Sequence, residues 1–112
     1  REGADITSSV MFNDKDPEVR EHAAFALSQS ESTRAEADLT RLLNTDNDDE
    51  VREGAVFALS QLPDVRATRA LIATAENRSL ARELRKKAVF WLSQPETDAA
   101  QKYLERVLTA NH

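Results

Sequence analysis

A chain of 112 residues, 40% hydrophobic and 31% charged, with a formal charge of −5, has room for one compact domain and lacks the concentrated Lys and Arg excess that phosphate binding draws on. Without cysteine it can form neither disulfides nor thiolate metal sites, and no apolar run approaches the roughly 18 residues that would span a bilayer. Two glycines and three prolines among many Ala, Leu, Glu and Arg residues favour helix over strand, so an all-α protein is expected.

The elements follow in order. Residues 4–13, with Ile6, Val10 and Met11 as the apolar positions, read as a lone second helix left from a preceding helical pair. Asp16 can cap the next helix, and Pro17 sits where its missing N–H costs nothing, so a first helix is expected over 17–29. Ser32 caps a second helix carrying Leu39, Leu42 and Leu43. Asp48 then caps a first helix over 49–61, and Asp64 a second helix with Leu71, Ile72 and Ala75. Ser79 is the cap for a first helix over 80–94, and Thr97 for a last second helix with Tyr103, Leu104, Val107 and Leu108. The total is about seven helices.

Three of these segments align without gaps: Glu18-Val-Arg-Glu-His-Ala-Ala-Phe-Ala-Leu-Ser-Gln29, Glu50-Val-Arg-Glu-Gly-Ala-Val-Phe-Ala-Leu-Ser-Gln61 and Glu83-Leu-Arg-Lys-Lys-Ala-Val-Phe-Trp-Leu-Ser-Gln94. Their starts lie 32 and 33 residues apart, the mark of stacked units each too small to bury its own apolar face. The division expected is a half repeat 1–15 and whole repeats 16–47, 48–78 and 79–112 in a single domain. A start inside a structural unit, at Arg1, implies a piece of a longer protein, which leaves the cellular compartment open.

The pattern Val-Arg-x-x-Ala-x-x-Ala-Leu-x-Gln, followed by a capped second helix, resembles the short HEAT-like repeats of bacterial scaffold proteins and phycobilin lyases. That resemblance implies an α-solenoid of stacked antiparallel helix pairs. It leaves activity open, because scaffolds, lyases, hydroxylases and DNA glycosylases all use such repeats. This chain departs from the family at one position, usually polar, which holds Phe25, Phe57 and Phe90.

On a helical wheel at about 100° per residue, Ala23, Ala26 and Leu27 fall within about 80° of Val19 and make the core stripe, whereas Phe25 lies near 240° beside Glu21. Stacking places equivalent residues side by side, so Phe25, Phe57 and Phe90 are expected to form a ladder. Two readings follow: the rings fill the seam between first helices, or they line the groove that this face often forms in HEAT-like families and bind a partner. Charges beside the ladder are polarised. Glu18, Glu21, Asp49, Glu50 and Glu53 make its first two rungs acidic, and Arg82, Lys86 and Lys87 make the third basic. A solvated charged face is the simpler reading of any one of these residues.

Iron-dependent hydroxylases of this fold use His-Glu dyads in consecutive repeats, whereas the positions here hold Glu21-His22, Glu53-Gly54 and Lys86-Lys87. No metal or other cofactor is therefore expected, and His22 reads as a partly buried edge residue. Ser28, Ser60 and Ser93 end helices without a histidine partner, and no phosphate loop or paired-acid motif is visible, so no enzyme is expected. Arg20, Arg52 and Arg85, with Gln29, Gln61 and Gln94, recur in every unit and are assigned to holding the stack together. Trp91, where the other units have Ala26 and Ala58, is expected to fill space where the last two helices pack.

The function expected is a non-catalytic protein-binding or scaffold module whose contact residues are Phe25, Phe57, Phe90, Glu21, Glu53, Lys86 and Lys87, with a protein or peptide as partner. Solenoid ends also offer surfaces for self-association. The alternatives are a nucleic-acid binder using Arg78, Arg82, Arg85, Lys86, Lys87, Lys102 and Arg106, and a chromophore-lyase-like helper.

Overall fold

The computed structural model describes residues 2–63, 65–94, 105, 106 and 109. Six helices follow one another among them: α1 (Glu2–Asn13), α2 (Pro17–Gln29), α3 (Ala35–Thr45), α4 (Asp49–Ser60), α5 (Val65–Ala75) and α6 (Arg82–Leu92), with no strand. Residues 105, 106 and 109 are also helical. Asp64, Thr97 and the expected apolar residues Tyr103, Leu104, Val107 and Leu108 lie outside the described residues, as does Lys102.

The helices form two layers. The row α2, α4, α6 packs in sequence, α4 against both neighbours, while in the second row α3 touches both α1 and α5, and all three pack against the first row. Between the rows lies one continuous core of fully buried side chains, including Met11, Leu27, Leu39, Leu42, Leu43, Val51, Val56, Leu59, Leu71 and Leu92. This is how an α-solenoid is held together, each helix pair being buried chiefly by the pair beside it.

Local chemistry sets the helix starts where a carboxylate is available. Asp16 accepts from the Glu18 amide at 3.0 Å, and Asp48 from the Glu50 and Val51 amides at 2.9 and 3.2 Å, with Pro17 opening α2. Both side chains thereby satisfy amides that the helix leaves without partners. Two expected caps fail. Helix α6 begins at Arg82 after Ala81, with no side-chain cap, and the Ser79 amide instead donates to Asn77 Oδ1 at 2.9 Å. Helix α3 begins at Ala35, and Ser32 Oγ accepts from the amide of Arg34, the residue just before the helix. In both cases a serine or asparagine turn takes up the amide before the helix opens, so the start is displaced.

The expected core stripe also needs correction. In α2 the buried residues are Ala23, Ala24, Leu27 and Ser28, while Val19 is 37% exposed and Ala26 is exposed. Their equivalents in α4, Val51 and Ala58, are fully buried. Helix α2 opens its row, so the face that α4 presses against α2 has no counterpart ahead of α2 among the described residues.

The recurring arginines do different work. Arg20 meets Asp46 with two bonds, Nε at 2.9 Å and Nη2 at 3.1 Å, and also donates to the Asp14 and Lys15 carbonyls. It therefore ties the turn before α2 to the turn before α4. The Asp46 hydrogen bond raises the guanidinium pKa above its already high ordinary value, against the opposing effect of desolvation, so the group stays charged at any pH used to handle proteins. Arg52 makes one bond, Nε to the Leu43 carbonyl at 2.9 Å. Arg85 Nε is buried and has no hydrogen-bond partner among the described residues.

Among the described residues the glutamines do not bridge units. Ser28, Ser60 and Ser93 each donate to the carbonyl of the phenylalanine three residues earlier, and Gln29, Gln61 and Gln94 each donate to that serine hydroxyl. The Ser-Gln pair thus recurs because it satisfies carbonyl oxygens in the last turn of each first helix.

Candidate functional site

Rings on the first-helix row define one continuous feature. Phe25 and Phe57 stack with centroids 5.9 Å apart and planes 13° from parallel, and Phe57 meets Trp91 at 5.0 Å and 59°. Both distances lie in the range where aromatic pairs attract beyond their buried area. The third rung is therefore Trp91, not Phe90. Phe90 lies edge-on against Trp91 at 5.0 Å and 78°, and is 53% exposed. The larger indole, standing where the earlier units have alanine, reaches back to α4 and takes the place beside Phe57. Phe25 is 43% exposed, whereas Phe57, with a ring on either side, is half-buried. Trp91 is also half-buried and packs across the row onto Phe57 of α4 while keeping a surface; its expected place between α6 and the last second helix falls outside the described residues.

Two clefts meet over this stack. One, of about 370 Å³, is lined by Glu21, Glu50, Glu53, Gly54, Phe57, Lys87 and Trp91. The other, of about 540 Å³, is lined by Glu21, His22, Phe25, Gly54 and Phe57. They share Glu21, Gly54 and Phe57. Gly54 sits inside helix α4, where glycine costs up to about 1 kcal/mol relative to alanine, and its reason is spatial. A Cβ there would stand 2.6 Å from Glu21 Cγ and 3.1 Å from its carboxylate carbon and Oε2. The bare backbone lets Glu21 lie across α4, between the two clefts.

Of the residues expected on this face, Phe25, Phe57, Glu21, Glu53 and Lys87 come together around the clefts. Lys87 reaches Glu53 at 3.9 Å. Lys86 lines neither cleft and pairs within its own helix with Glu83 at 3.8 Å. His22 is exposed at the rim instead of partly buried. Among the described residues, no group of three His, Asp or Glu side chains could hold a metal ion, and no helix is long and apolar enough to cross a membrane. Gly54, Glu50 and Trp91 belong to the clefts and were not among the expected contact residues. A mid-helix glycine and a tryptophan at an alanine position were the available signals.

The family model for HEAT repeats matches residues 5–90. The chain belongs to the HEAT-repeat family. No curated protein and no solved structure matches it. HEAT repeats generally mediate protein interactions and scaffolding, and the fold is generally non-enzymatic. In this HEAT-repeat chain the first helices supply the aromatic stack and its charged frame, while the second helices supply the other wall of the core.

Proposed function

We propose that this chain is a non-catalytic protein-binding module, and that its contact surface is the pair of clefts over Phe25, Phe57 and Trp91. The observation that carries this reading is the aromatic stack itself. Three consecutive first helices keep large rings in mutual contact yet partly open to solvent, beside two clefts. Folding alone favours closing such rings into the core. Partly exposed, well-packed aromatic residues are also the side chains that dominate binding energy at protein interfaces.

Charge favours a protein over a nucleic acid as partner. Glu21, Glu50 and Glu53 frame the rings, and Lys86 and Lys87 stand within ion-pair distance of Glu83 and Glu53. A phosphate backbone would meet carboxylates at the centre of this surface.

The test is photo-crosslinking in cells that express the protein, with benzoylphenylalanine replacing Phe25 and, as a control, the exposed Thr40 of α3. A discrete protein adduct from position 25 alone, lost when Phe57→Ala is added, is the expected result. Adducts equal at both positions, or none at position 25, would remove the clefts as the contact surface.

A further inference from the structure

Resting on that reading, we infer the chemistry of what the clefts hold: a basic segment of a partner protein, one arginine side chain of which lies against the Phe57 and Trp91 rings with its head among Glu21, Glu50 and Glu53. Three carboxylates and one cation, Lys87, line the cleft that contains both rings. Among the described residues Lys87 reaches only Glu53, and Glu21 and Glu50 have no ion-pair partner. The cleft therefore carries an uncompensated negative charge beside two aromatic faces, whose quadrupoles also attract cations, tryptophan most strongly.

The spacing of the acids narrows the ligand. Among the described residues no three His, Asp or Glu side chains form a group that could hold a metal ion, so these acids suit a cation spread over several atoms. A guanidinium is planar, stacks on rings and presents five N–H donors to carboxylates, which an ammonium cannot match. Gly54 fits the same reading. Its missing Cβ leaves room for Glu21 to lie flat across α4, which brings that carboxylate to the rim shared by both clefts. An acidic peptide or a phosphate would be repelled, and a purely apolar segment would leave the carboxylates facing it without partners.

Trp91 is the only tryptophan of the chain, so its emission reports on this cleft directly. The experiment titrates the full chain with short peptides alternating arginine and glycine, glutamate and glycine, or leucine and serine. The arginine peptide is expected to shift Trp91 emission saturably, and added salt should weaken the effect. Binding should fall about fivefold or more in Glu21→Gln/Glu50→Gln. Glu31→Gln/Glu76→Gln, the same charge change at exposed positions outside these clefts, should leave it unaltered. Circular dichroism checks that each variant is folded. Equal weakening by both double variants would mean unspecific attraction to net charge and would overturn the inference. A response to the leucine peptide alone would overturn the cationic ligand while leaving the clefts as a contact surface. No response to any peptide also overturns the inference, whereas the contact surface itself stands or falls with the crosslinking result.

Discussion

Arg20, Arg52 and Arg85 occupy one position of the repeat, so replacing each by methionine, which keeps the aliphatic stem and removes the guanidinium, measures what each head group does. Arg20→Met removes two charged bonds to Asp46 and two bonds to carbonyl oxygens. The paired side chains are only 11% and 6% exposed, and breaking an enclosed ion pair by removing one partner costs about 3–5 kcal/mol. Asp46 still accepts from the Asp48 amide at 2.9 Å, and water can enter this turn from the surface, so the low end, about 3 kcal/mol, applies. Arg52→Met leaves one carbonyl, that of Leu43, without its donor, a loss of about 1 kcal/mol. Arg85→Met removes a buried Nε that has no partner among the described residues, so stability should change by less than about 1 kcal/mol. Urea unfolding followed by circular dichroism gives all three values, and Arg20→Met should lower Tm by more than about 10 °C in a domain of this size. Equal losses at the three positions, or a loss below about 1 kcal/mol for Arg20→Met, would refute the assignment of the tie between the turns before α2 and α4 to Arg20 and Asp46.

Two further outcomes test local features. Asp48→Ala should cost about 1 kcal/mol because Asp48 caps two amides of α4, whereas Ser79→Ala should be nearly neutral because Ser79 caps no helix; equal effects in thermal unfolding would contradict this. Gly54→Ala sets a gain of up to about 1 kcal/mol in helix propensity against the displacement of Glu21, whose Cγ would lie 2.6 Å from the new methyl. Stability should therefore change by less than about 1 kcal/mol while NMR shows Glu21 moved; a loss above about 2 kcal/mol would mean that α2 and α4 themselves had to separate.

The repeat, the helix pairs and the Asp16 and Asp48 caps were legible in the sequence because they depend on local chemistry: the 32 and 33 residue spacing, apolar periodicity, and a carboxylate placed before free amides. The phenylalanines on the polar side of the first helices were legible for the same reason, and Phe25 and Phe57 do stack. Tertiary packing decided the rest. Val19 and Ala26 are open while Val51 and Ala58 are closed, although their local sequences match, because burial depends on which helix stands alongside. Identical arginines differ because their partners come from other turns: Asp46 for Arg20, the Leu43 carbonyl for Arg52. Trp91, not Phe90, completes the stack because the longer indole spans the gap between α6 and α4, and Gly54 matters only because Glu21 of the neighbouring helix lies on it. A single helix encodes its own periodicity and ends, but which of its faces becomes core, seam or cleft is set by the helices packed against it.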